Sequence, residues 1–315
     1  MISKSTLLKF FLFCFLILCL TASPALLFGS NDTEKKSSEK SAIKKTNETR
    51  LIPDQYQSPS FNCVTKYENG SVNWTTGEIQ AFGFAVPEDN TEKSHEAVPG
   101  AARADANRSL IDLLKKMEIN STLTVGEYAK GNDVILAGIE KIARDAMITK
   151  QYYTSALSVE ISIKTSIFGG FLQLVLPEKI RQIPQMLIEV SKTETAPHQF
   201  KKRAYTGLII DARNLGIKPV LNPVIISEQG DELFSANFIS REFAVQKGVC
   251  RYFSSLKDAR RDERTGSNPF LFKALRKEGR QGAIIISTAD QNRFEKAEER
   301  HLFLKECRVT IVIDR

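Results

Sequence analysis

The sequence predicts an α+β protein of two small mixed domains, the first a strand, two helices and an antiparallel hairpin, the second a mixed sheet with flanking helices. Three observations predict this. Residues 152–164 alternate apolar and polar side chains with a period of two. Residues 101–117 and 132–147 each carry an apolar stripe at helical spacing. Residues 204–234 read as a buried-type strand, a bend and two further short strands. The expected boundaries are a first domain over 61–177, a linker over 178–203 and a second domain over 204–315.

The N-terminal stretch reads as an export signal. Lys4 and Lys9 precede an unbroken apolar run over 10–20, and Ala22 and Ala25 are small residues of the cleavage-site type. Pro24 disfavours a cut directly after Ser23. The alternative is an uncleaved anchor, because residues 10–29 are just long enough to span a bilayer. Cys14 follows Phe13 and Cys19 follows Leu18, neither of them the small residue that lipidation requires. The expected segments are a signal over 1–25 and a disordered, Lys/Glu/Ser/Thr/Asn-rich tether over 26–60. The place of action expected from this is outside the cytoplasm, in the periplasm or cell envelope, with anchoring to the inner membrane if the signal is retained.

In the first domain, residues 78–86 form a strand ended by Pro87. The first helix places Ala102, Ala106, Leu110, Leu113, Leu114 and Met117 on one face, and the second places Ile135, Ile139, Ile142 and Ala146 together behind an Asn132 or Asp133 cap. Residues 152–164 are read as one strand with Leu157, Val159, Ile161 and Ile163 facing the helices and the opposite face wet. Residues 167–176 are its expected partner, with a bulge at Gly169-Gly170.

In the second domain, a strand over 208–210 ends on Asp211, Ala212 and Arg213. Asn214 and Gly216 supply the positive-φ bend closed by Pro219. Strands are also expected over 243–249, 283–287 and 308–314. Helices are expected over 268–277, from Asn268-Pro269, and over 291–304, capped by Asp290.

Charge and motif exclude several classes. The formal charge is +7, and the densest basic run, Lys201-Lys202-Arg203, is too short for a nucleic-acid stripe, so no nucleic acid is expected. His95, His198 and His301 are scattered, and Cys63, Cys250 and Cys307 have no metal-ligand spacing, so neither metal nor cofactor is expected. An oxidising compartment permits one disulfide, for which Cys250 and Cys307 are the expected pair; three free thiols is the alternative. Residues 126–133 place two glycines at phosphate-loop spacing but end in Asn-Asp where Lys-Ser/Thr is needed. No G-x-S-x-G elbow is present.

Two pairs remain as candidate binding residues. Asp211 and Arg213 are two apart at a strand end, and either form a site or fasten the bend, with Arg213 reaching Glu228 or Asp231. Arg103 and Asn107 are one turn apart and either bind an anion near a helix N-terminus or lie on a solvated face.

The run Ala81-Phe82-Gly83-Phe84-Ala85, then a helix with Ala101-Ala102-Arg103-Ala104-Asp105-Ala106, then a hairpin, resembles the bacterial LPP-twenty lipoprotein family. It also resembles the N-terminal domain of flagellar assembly protein T. Both resemblances cover roughly 77–177 and imply an envelope protein that is not an enzyme. The module over 205–234 resembles a recurring piece of uncharacterised exported bacterial proteins. The expected role is therefore non-catalytic binding or assembly with envelope proteins or cell-wall components. The competing expectation is an exported hydrolase centred on Asp211 and Arg213.

Overall fold

Two sheets, one antiparallel and one mixed, carry the chain. The computed structural model describes residues 62–89, 91–155, 157–177, 204–279 and 282–314, all inside one compact unit, Arg50–Arg315. The expected export signal, tether and linker lie outside the described residues. Among the described residues, no helix is long and apolar enough to cross a membrane.

The first sheet has the order β1-β2-β3-β7-β6, antiparallel throughout. Its strands are β1 (Val64–Tyr67), β2 (Gly70–Asn73), β3 (Glu78–Ala85), β6 (Met147–Tyr153) and β7 (Val159–Ser166). Helix α1 (Glu92–Lys116) lies across β3 and β7. Its contact requires Gly83, where a Cβ would stand 2.1 Å from Ala106 N. Between α1 and β6 come the small hairpin β4 (Glu118–Asn120) and β5 (Leu123–Thr124), then α2 (Val125–Ala129) and α3 (Asp133–Arg144). Thr124 and Glu127 close a capping box on α2, and Asn132 caps α3 as its sequence suggests.

The expected single strand over 152–164 is instead the hairpin β6–β7. Leu157 sits in its turn at φ 59 and is exposed, so it does not face the helices. Val159, Ile161 and Ile163 do pack inward. The opposite face is not wet at Ser162, whose Oγ accepts from Gln80 Nε2 at 2.7 Å and from Thr149 Oγ1 at 3.0 Å. The expected partner strand over 167–176 is helix α4 (Gly170–Val175), which buries Phe171, Leu172 and Val175. Its Gly169-Gly170 start opens a helix rather than a bulge.

The second sheet has the order β10-β9-β13-β12-β8-β14-β11. The strands are β8 (Gly207–Asp211), β9 (Ile225–Ser227), β10 (Glu232–Phe234), β11 (Arg251–Phe253), β12 (Pro269–Glu278), β13 (Ala283–Ile286) and β14 (Val309–Val312). Strands β12, β8, β14 and β11 run parallel. Central β8 is covered on both faces, which is why it reads as an unbroken apolar run. On one face Phe270, Phe272 and Phe294 meet edge to face at 5.0–5.3 Å. On the other, Ile209, Phe253, Ala259 and Val312 form a separate cluster.

The helices here are α5 (Arg241–Lys247), α6 (Leu256–Ala259), α7 (Thr288–Glu295) and α8 (Arg300–Lys305). Three expectations change. Residues 241–247 are helical rather than a strand, capped at Gly248 with φ 82. Residues 269–278 are the strand β12 rather than a helix; Pro269 opens it, and Phe270, Phe272 and Ala274 alternate inward. The expected single helix over 291–304 is broken into α7 and α8. The bend after β8 is as expected, with Asn214 at φ 66 and Gly216 at φ 57.

The two sheets are stitched together. Thr75 Oγ1 donates to Tyr252 O at 2.6 Å and accepts from Cys63 N at 2.8 Å. Leu221 N and Asn222 N bond to Glu118 O and Ile119 O, and Gly169 N bonds to Val245 O. Trp74 stands edge-on to Tyr252 with ring centroids 5.9 Å apart.

Candidate functional site

The carboxyl ends of the parallel strands are where open sheets of this kind place ligand-binding side chains. Here β8 ends on Asp211, beside Lys273 of β12 and Val312 of β14 in register. The Arg213 guanidinium returns to Asp211 in a fork, Nε to Oδ1 and Nη2 to Oδ2, both at 2.7 Å. That bonding holds the Asp211 carboxyl below the usual carboxylate range. It therefore stays ionised near neutral pH, the wrong state for a general acid.

The expected partners of Arg213 are corrected by this geometry. Glu228 instead accepts from Thr288 N at 3.0 Å, and Asp231 from Gln291 Nε2 at 2.9 Å. The bend is fastened less by Asp211 than by Asp314, whose two oxygens accept from Asn214 N at 2.9 and 2.8 Å. Asp211 reaches only Arg213 N, at 3.4 Å.

Arg103 and Asn107 do not lie near a helix N-terminus. Thr91 caps α1, so the helix starts well before residue 101 and the pair falls in its middle. Arg103 Nη2 donates to Arg144 O and Ala146 O at 2.9 and 2.6 Å, closing the C-terminal end of α3. Arg241 does the same for α4 through Gln173 O, Leu176 O and Pro177 O.

A third arginine, Arg264, is almost fully buried and donates to Cys307 O at 2.6 Å, Lys247 O at 2.7 Å and Gly248 O. It thereby ties the ends of α5 and α8 together, and burial lowers its pKa. Beside it, Asp262 accepts from Arg251 Nη1 at 2.9 and 2.8 Å and from Arg264 N at 2.8 Å.

Cys250 and Cys307 do not form the expected disulfide. They and Cys63 are free and buried. The register that pairs Arg251 with Thr310 carries Cys250 past Cys307. Burial pushes all three thiols up to about 12. Among the described residues, no group of three or more His, Cys, Asp or Glu is placed to hold a metal ion.

The remaining feature is the outer edge of the first sheet. Strand β6 is its end strand, and Met147 and Tyr153 are 63% and 62% exposed. Ile148, Tyr152 and Leu157 are exposed as well. Phe84 of β3, whose register partner Glu160 is also that of Tyr152, extends this apolar strip across the sheet. Among the described residues no strand pairs with the outer side of β6, and a sheet edge with apolar side chains is a template for another strand. Its one irregularity is the register shift between Ile148 and Lys150.

No curated protein sequence matches the chain. Residues 207–315, which run from β8 through β14 and include none of the first sheet, match the family model described as Treponema pallidum Tp0624, second domain.

Proposed function

We propose that the protein is an exported, non-catalytic cell-envelope protein that works by binding, and that its binding surface is the open edge of β6. The observation that carries this reading is the run of exposed Met147, Ile148, Tyr152 and Tyr153 on an end strand. The occupant it suits is an extended, apolar segment of another envelope protein, added to the sheet as a further strand. Main-chain hydrogen bonds would supply affinity there, and the alternate side chains selectivity. The resemblance of residues 77–177 to the LPP-twenty and flagellar assembly protein T domains supports an envelope role through its motif alone. The basic N-terminal stretch with its apolar run supports export. The competing reading, a hydrolase at Asp211 and Arg213, draws no support from a pair whose charges are spent on each other.

The test places a photo-crosslinking side chain at Tyr153, with Lys257 as the control position, in intact cells. A discrete adduct from position 153 alone, lost when Ile148→Lys and Tyr152→Lys are added, supports the reading. Equal labelling from both positions, or an adduct that survives the lysines, overturns it. An adduct of twice the chain mass would show that the added strand comes from a second copy.

A further inference from the structure

Strand β6 carries a β-bulge, and the bulge dictates what can be added beside it. Its register with β7 runs Ile148↔Ile163, then Lys150↔Ser162, Gln151↔Ile161, Tyr152↔Glu160 and Tyr153↔Val159, so Thr149 is the extra residue. Register partners share a face of a sheet. Ile148, Gln151 and Tyr153 therefore lie in the row of Val159, Ile161 and Ile163, which packs inward. Lys150 and Tyr152 lie in the opposite row with Ser162 and Glu160. The Gln151 amide agrees with the first row by donating to the Tyr153 hydroxyl. Helix α1 covers β3 and β7, yet Ile148 and Tyr153 of that same inner row stay 45% and 62% exposed. A strand laid on the outer side of β6 must oppose residues 148 and 150–153, skip Thr149, and set apolar side chains against Ile148 and Tyr153.

Strand β6 read backwards meets those conditions. About a two-fold axis through Gln151, Ile148 faces the partner's Tyr153, Lys150 faces the partner's Tyr152, and Gln151 faces the partner's Gln151. Thr149, held to Ser162 of its own sheet, bulges from both strands, so every facing pair shares a row. The inner row becomes isoleucine against tyrosine at both ends, with a neutral amide pair between them. Lys150 is already engaged within its own chain and does not stand opposite the partner's Lys150. We propose that β6 pairs antiparallel with β6 of a second copy, joining two five-stranded sheets into one of ten. The inference rests on the β6 edge being the binding surface and names the strand that occupies it. A two-fold pairing uses both open edges at once, so it closes at a dimer and leaves that side with no template for further strands.

Gln151 is exposed and sits on the proposed axis, which allows a test that another interface would not mimic. In sedimentation of the full chain, wild type should form a dimer whose fraction rises with concentration. Gln151→Glu and Gln151→Lys each set two like charges face to face and should weaken the dimer on the order of tenfold, with the melting temperature of the monomer unmoved. Mixed in equal amounts, the two variants should recover wild-type dimerisation, because each then faces its opposite. A wild-type chain that stays monomeric up to roughly 100 μM overturns the proposal. So do variants that dimerise like wild type, and so does a mixture no better than either variant alone. The failures are separable. A monomeric chain that still gives a discrete adduct from position 153 in cells removes the second copy and keeps the β6 edge, whereas a monomeric chain with no adduct removes both.

Discussion

Two aspartate–arginine pairs in the second sheet share their chemistry and differ in their setting. Asp211 and Arg213 are two residues apart at a strand end, with side chains 16% and 42% exposed. Asp262 and Arg251 come from a turn and from β11, and the aspartate is 2% exposed. The first pair forms because its members are neighbours in the chain; water competes with it, so it carries little stability. The second forms only when β11 and the 258–264 turn are already packed. Once there, removing Arg251 leaves the Asp262 carboxylate charged and dry, and removing Asp262 leaves the half-buried Arg251 without its acceptor. The lesson is that a charge pair visible as local sequence is the one that matters less to folding.

The sharpest way to break this contrast is Asp262→Ala. It leaves Arg251 and the Arg264 amide without their acceptor, and should cost about 3–5 kcal/mol by urea denaturation. A loss below about 1 kcal/mol would place the two pairs in one class. Asp262→Asn keeps an acceptor but removes the charge, and should fall between that loss and wild type. Asp211→Ala should cost about 1 kcal/mol or less, since its donors face solvent. Adding 1 M salt should erase most of that difference while leaving the Asp262→Ala loss standing.

The smallest expected effect is in pH. The folded-state pKa of Asp211 is lowered, so its stabilisation is present above the unfolded value of about 3.9 and disappears as pH falls through the lower folded value. The stability gap between wild type and Asp211→Asn should be flat from about pH 7 to 5 and close below about pH 4. A gap that widens on acidification would reverse the sign and refute the pairing.

The same division between local and distant determinants explains what could be read from the sequence. The bend at Asn214 and Gly216 was legible because backbone conformation is set within a few residues, and both adopt positive φ. Strands β3, β13 and β14 were legible from short apolar runs with clear ends. The Asn268-Pro269 start misled. Proline suits the first residue of a strand as well as of a helix, and the alternation of Phe270, Phe272 and Ala274 was the better guide. Residues 152–164 misled in the opposite way, since alternation continues through a tight turn unless a residue such as Leu157 adopts φ 59.

Of the candidate site residues, Asp211 and Arg213 do meet, but with each other rather than with Glu228 or Asp231. Arg103 serves a helix end that only tertiary packing brings within reach. Nothing in the local sequence distinguishes Arg264 from a surface residue, because its role depends on chain segments far away. The exposed β6 edge was partly hidden for the same reason: its residues were read as a helix end and the start of a single inward-facing strand.

The three buried thiols give the molecule an internal clock. At a pKa of about 12 they are almost wholly protonated and shielded, hence inert to alkylation while the fold stays closed. Between them they report two doors. Cys63 borders the Thr75–Tyr252 stitch between the sheets, whereas Cys250 and Cys307 sit behind the Arg264 clasp. If the sheets part before either unravels, Cys63 will be labelled first and alone; if they open together, all three will react at one rate, which peptide mapping can follow apart from Cys14 and Cys19.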